Sequence, residues 1–132
     1  MKMEITAYAI TRTVDVPFGE AVERVTAALA TEGFGVLTTI DVQETLKQKL
    51  DVDIEPYVIL GACNPQLARQ GLALEPDLGV LLPCNVVVRR DEERTVVAAM
   101  EPLAAMGLAA NPALEPLAAA ARERIERAVA SL

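Results

Sequence analysis

Tyr57-Val58-Ile59-Leu60 is an apolar run without polar alternation, the pattern of a strand covered on both faces or central in its sheet. Gly61-Ala62-Cys63 then leads into Asn64-Pro65, a capping residue followed by proline at the first helical position. That pair starts a helix over roughly Pro65 to Leu74. A strand that passes so directly into a helix confines the chain to folds that pack sheet and helix around one core.

The flanking sequence fits the same frame. Glu4 to Val14 reads as a first strand, with Ile5, Ala7 and Ala9 on one face. After Pro17, the spacing of Phe18, Ala21, Val22, Val25, Ala28 and Leu29 predicts an amphipathic helix that Gly33 ends. Val36 to Ile40 is a short strand, and Asp41 stands three residues before Glu44 as in a capping box. The helix it opens is expected to turn Val42, Leu46 and Leu50 inward, with Lys47 and Lys49 outward. Leu78 to Leu82 reads as a further strand, interrupted by Pro83, where a bulge, a bend or a sheet edge is expected. Val86 to Arg90 and Thr95 to Met100 form a hairpin around Asp91-Glu92-Glu93. In the last helix Leu117, Ala121, Ile125, Ala128, Val129 and Leu132 make one stripe that should cover the sheet.

With 132 residues the chain is of single-domain size, spanning 1–132, and long enough to build a core without disulfide or metal staples. The apolar fraction of 52% is rich for a small monomer, and surplus apolar surface commonly marks protein contacts, so a homodimer is expected. The net charge of −7 and the lack of any basic run beyond Arg89-Arg90 argue against nucleic acid and against an acidic membrane surface. The N-terminal residues lack the apolar core of a signal peptide, and no stretch approaches a membrane span, so the expected location is the cytoplasm. There Cys63 and Cys84 would stay reduced. The chain contains no histidine, which removes Ser-His-Asp and Cys-His systems and any His-ligated metal within one chain. Its seven glycines form no phosphate-cradling motif. No metal site and no cofactor are expected.

The stretches YVILGACNPQLARQGL and GVLLPCNVVV, together with VLTTIDVQETLKQKL and TVDVPFGEAVERV, resemble a family of small bacterial and archaeal proteins, domain of unknown function 302 (DUF302). The similarity covers nearly the whole chain. It implies an α+β single domain, a curved and largely antiparallel sheet backed by helices in a β-α-β(4)-α order with short inserted helices, like the TATA-binding-protein group, and it implies dimers. It supplies no activity. Arg69 stands where many members carry histidine.

Two motifs look chosen for chemistry, Cys63-Asn64-Pro65 and Pro83-Cys84-Asn85. Cys63 precedes a helix start, where free N–H groups and the helix dipole favour a thiolate. A crossover helix between parallel strands would bring Cys63 and Cys84 to one sheet edge; antiparallel strands would keep them apart. The plainer interpretation is that both cysteines are small core hydrophobes, Asn64 a helix cap and Asn85 a partner for an irregularity beside Pro83. Gly61 is then a packing residue, and Asp53 and Glu55 are solvated carboxylates. The function expected is a non-enzymatic, homodimeric binding module that holds a small ligand or a partner near Cys63, Asn64, Cys84 and Asn85. The alternatives are a thiol redox sensor or a Cu(I) or Zn(II) ligand pair formed by Cys63 and Cys84, and a purely structural dimer.

Overall fold

The computed structural model describes residues 2–132. Its strands are β1 (Met3–Ile5), β2 (Ala9–Val14), β3 (Gly35–Asp41), β4 (Tyr57–Cys63), β5 (Cys84–Asp91) and β6 (Arg94–Met100). They form one six-stranded sheet in the order β1-β2-β6-β5-β4-β3, antiparallel at every junction. The helices are α1 (Phe18–Thr31), α2 (Val42–Leu50), α3 (Pro65–Leu74), α4 (Pro102–Gly107) and α5 (Glu115–Ala130), with 3-10 segments at Pro76–Leu81 and Pro112–Leu114.

Strand alternation sorts the sheet into two unlike faces. Ile10 on β2, Val97 and Ala99 on β6, Val86 and Val88 on β5, and Val58, Leu60 and Ala62 on β4 are buried on one face. Ala21, Val25 and Leu29 of α1 and Ala121, Ile125, Ala128 and Val129 of α5 complete this cluster. The stripe expected on the last helix is thus the one that packs, with Ala118 added and Leu117 and Leu132 partly buried. A second, smaller cluster of Leu78, Met106, Leu114 and Ala118 joins the segment at 76–81 to α4 and α5.

Local signals account for most element ends. Gly33, at φ 84°, ends α1, while the N–H of Phe34 returns to the Leu29 carbonyl at 2.9 Å. Asp41 caps α2, accepting the Glu44 N–H at 2.9 Å. The hairpin tip is a two-residue turn, Glu92-Glu93, between β5 and β6.

Three expectations change. Glu4 to Val14 is two strands, because Thr6 turns the chain: its N–H donates to the Ala9 carbonyl at 2.8 Å, and its Oγ1 accepts the Ala9 N–H at 3.1 Å. Ile5 therefore pairs with Ile10 instead of aligning with Ala7 and Ala9. Leu78 to Leu82 is not a strand; Pro76 opens a 3-10 helix that buries Leu78 alone, and the Leu82–Pro83 peptide is cis. The expected β-α-β(4)-α order is present as β2, α1, the four strands β3 to β6 and the final α5, with α2, α3 and α4 as the short inserted helices and β1 added ahead of it. Finally, α2 buries none of its residues, and Leu50 is 67% exposed. It follows the edge strand β3 and leans on β4, outside both clusters. β4 itself is interior but covered on one face, with Tyr57 and Ile59 partly exposed.

One long-range contact ties sheet to helix. The Arg12 guanidinium on β2 donates to the carbonyls of Val129 (3.1 Å) and Ala130 (2.6 Å) at the end of α5, where the helix is electronegative. Hydrogen bonds from charged donors contribute about 1.5–3 kcal/mol in favourable settings, so Arg12→Ala should lower unfolding free energy by about 2 kcal/mol in urea titrations.

Candidate functional site

Asn64 and Pro65 act as their types dictate. The Asn64 side chain accepts the Leu67 N–H at 3.1 Å, and Pro65 takes the first position of α3. The capping side chain is itself buried, at 7% exposure, close against Gly33. Cys63 closes β4 immediately ahead of this cap.

Cys84 opens β5, and its register partner is Ala62, the neighbour of Cys63. The two cysteines thus sit at one end of adjacent strands. The expectation that antiparallel strands would separate them fails for a topological reason. β4 ends where β5 begins, and α3 with the 76–81 segment leaves and returns at that same end. Both are free thiols, Cys84 buried and Cys63 partly exposed.

Gly61 shows how tightly this strand end is built. A Cβ there would meet Thr38 Oγ1 and come within 2.9 Å of Pro83 Cγ, so only hydrogen fits between β3 and the turn before β5. The packing role expected of Gly61 is the one it has.

Cys63, Asn64 and Cys84 border a cavity of about 30 Å³ whose other walls include Phe34, Leu67, Gly71, Leu78, Leu82, Pro83, Met106 and Ala121. It is the seam between the two hydrophobic clusters, since Phe34, Cys84 and Ala121 belong to one and Leu78 and Met106 to the other. Drug-sized ligands need roughly 300–1,000 Å³. The seam admits a water or two by volume, and offers few polar partners to hold them. Asn85 stands apart: Cys84 and Val86 point into the core, so alternation turns Asn85 to the other face, where it is exposed opposite Gly61. The structure therefore gathers three of the four residues singled out in the sequence.

Burial, reinforced by repulsion from Cys63, pushes the Cys84 thiol up to about 11. It is a neutral thiol at physiological pH and a poor resting nucleophile. Among the described residues, no three His, Cys, Asp or Glu side chains gather to hold a metal ion. Asp53 is exposed and pairs with Lys47 at 3.3 Å. Glu55 has a role the sequence did not reveal: its carboxylate accepts the Glu92 N–H at 3.1 and 3.2 Å, steadying the hairpin tip where Glu92 adopts φ 58°.

Glu101 also escaped the sequence reading. Only 5% exposed, it caps α4 by accepting the Ala104 N–H at 2.6 Å, while its other oxygen lies 3.2 Å from Arg122 Nε on α5. The signal was present, because Glu101-Pro102 repeats the cap-proline pattern of Asn64-Pro65.

The family described as "Domain of unknown function DUF302" matches residues 10–132. Among solved structures, the chain is similar to the crystal structure of an uncharacterized conserved protein DUF302 from Bacillus stearothermophilus. The two share 33% identity and a TM-score of 0.88, covering 95% of this chain and 98% of that one. No curated protein matches it.

Two outcomes follow for the thiols. With a disulfide-exchange chromophore at neutral pH, one thiol per chain, Cys63, should react promptly and Cys84 only after unfolding; prompt reaction of both would contradict the burial. Because the folded thiol of Cys84 binds its proton more tightly than the unfolded one, stability is full below about pH 9 and falls as pH rises toward 11. Cys84→Ala should remove about 3 kcal/mol of that alkaline loss, seen as a flatter dependence of Tm on pH than in the unaltered chain.

Proposed function

The chain belongs to the DUF302 family, a domain of unknown function, and on that premise we propose that it is a non-enzymatic module that works as a homodimer and binds a partner in preference to a metabolite. The observation that carries this reading is a row of apolar side chains crossing the uncovered sheet face. Ile40 on β3, Ile59 on β4, Val87 on β5 and Ala98 on β6 are successive register partners. All four are at least partly exposed, and none belongs to either buried cluster.

Area supports the same reading. The chain exposes 7569 Å². A compact monomer of 14.1 kDa exposes roughly 6,700 Å². The surplus is about the 800 Å² that each partner contributes to a standard interface. Leu37, Leu50 and Val52, exposed beside this face at 68%, 67% and 44%, extend the apolar surface around β3. Face-to-face packing fits better than pairing along β3, because the register shift at Leu37 puts a bulge in that edge.

The small-ligand variant of this reading loses support at the seam, whose volume suits at most a water or two. The thiol variant loses support at Cys84, which is held protonated.

Sedimentation at tens of micromolar should give twice the chain mass. Val87→Lys, placed in the middle of the apolar row, should sediment as a monomer with an unchanged far-ultraviolet spectrum. A monomeric parent protein would end the proposal.

A further inference from the structure

Val80 and Leu108 are the most exposed large aliphatic side chains among the described residues, at 86% and 77%, and both line the same cleft. That cleft, about 270 Å³, is completed by Glu75, Asp77, Leu78, Leu81 and Ala109. A second cleft of about 340 Å³, floored by Leu103, Met106 and Leu114, lies across the Gly107–Asn111 turn and carries Glu115 at its margin. Asn111 joins them, its amide donating to Glu75 Oε1 and to the Leu74 carbonyl at 3.3 Å each. Leu72 and Leu74, at 41% and 45% exposure, extend the apolar surface along the end of α3.

Exposed aliphatic groups clustered around concave ground mark a contact surface. The charges decide its occupant. Glu75, Asp77 and Glu115 are the ionisable residues lining the two clefts, and no Lys or Arg lines either. A second copy docked here about a two-fold axis would bring the same acids face to face, which opposes association. We propose that these clefts receive a segment of another protein that presents aliphatic side chains flanked by Lys or Arg. The aliphatic groups would fill the two hollows, and the cations would meet Glu75, Asp77 and Glu115. This surface is separate from the uncovered sheet face, so it stands whether or not the dimer forms.

The test titrates the full chain, labelled with nitrogen-15, with two synthetic amphipathic helical peptides, one alternating Leu and Lys faces and the other Leu and Glu faces. The Leu/Lys peptide should shift the amides of Gly79 to Leu81 and Gly107 to Ala109, and the Leu/Glu peptide should not bind. Val80→Ser with Leu108→Ser should weaken binding at least tenfold. Asp77→Asn with Glu115→Gln should flatten its dependence on salt. Absence of binding, shifts confined to other surfaces, equal binding of both peptides, or affinity unchanged in the serine variant would each overturn the proposal. So would a loss of self-association in that variant, which would mark the clefts as an interface between copies.

Discussion

The packing of α1 and α5 onto Ile10, Leu60, Val86, Val88, Val97 and Ala99 is the contact on which every other element rests. It fixes which face of each strand looks inward, because a one-residue slip in any register would carry the apolar set to the opposite side. It also commits the long helices of the chain to one side of the sheet. The opposite side keeps its own apolar row, and the smaller cluster of Leu78, Met106, Leu114 and Ala118 is left to close around the margin.

The two clusters meet imperfectly, and the conspicuous cysteines stand at their junction. Neutral and buried, Cys84 behaves as a hydrophobe that fills part of the seam. The surroundings that protect it also deny it a charge, so the properties that drew attention to it in the sequence have a packing explanation. The surfaces with unmet demand lie elsewhere, on the uncovered sheet and around Val80 and Leu108.

Much of the architecture was legible in the sequence because its signals are local. Asn64-Pro65, Asp41 with Glu44, Gly33 and the stripe on α5 each act within a few residues, and each sits where its chemistry requires. What escaped depends on partners distant along the chain. The apolar residues of 78–82 imitate a strand, but no strand pairs with them, and Pro76 sets a helical turn instead. Val42, Leu46 and Leu50 have helical spacing, yet α2 lies beyond the reach of the core they were expected to meet. For the candidate site, residue identity singled out Cys63, Asn64 and Cys84 but left open whether the two cysteines meet, whereas their shared strand end, the seam's volume and the pairing of Glu101 with Arg122 emerge only when separate elements are packed together. Asn85 lay in the right motif on the wrong side of its strand.

Three strands of this sheet pass into helices with at most a single residue between: Asp41 ends β3 and caps α2, Asn64 stands alone between β4 and α3, and Glu101 alone between β6 and α4. Each is hydrogen-bonded to the first turn it opens, and at Asn64 and Glu101 the following proline stiffens the joint. Such a joint has no slack. A helix tilted by a binding event would act as a lever on the strand behind it, so a push on α3 reaches Cys63 and a push on α4 reaches Met100, with no loop between to absorb the movement.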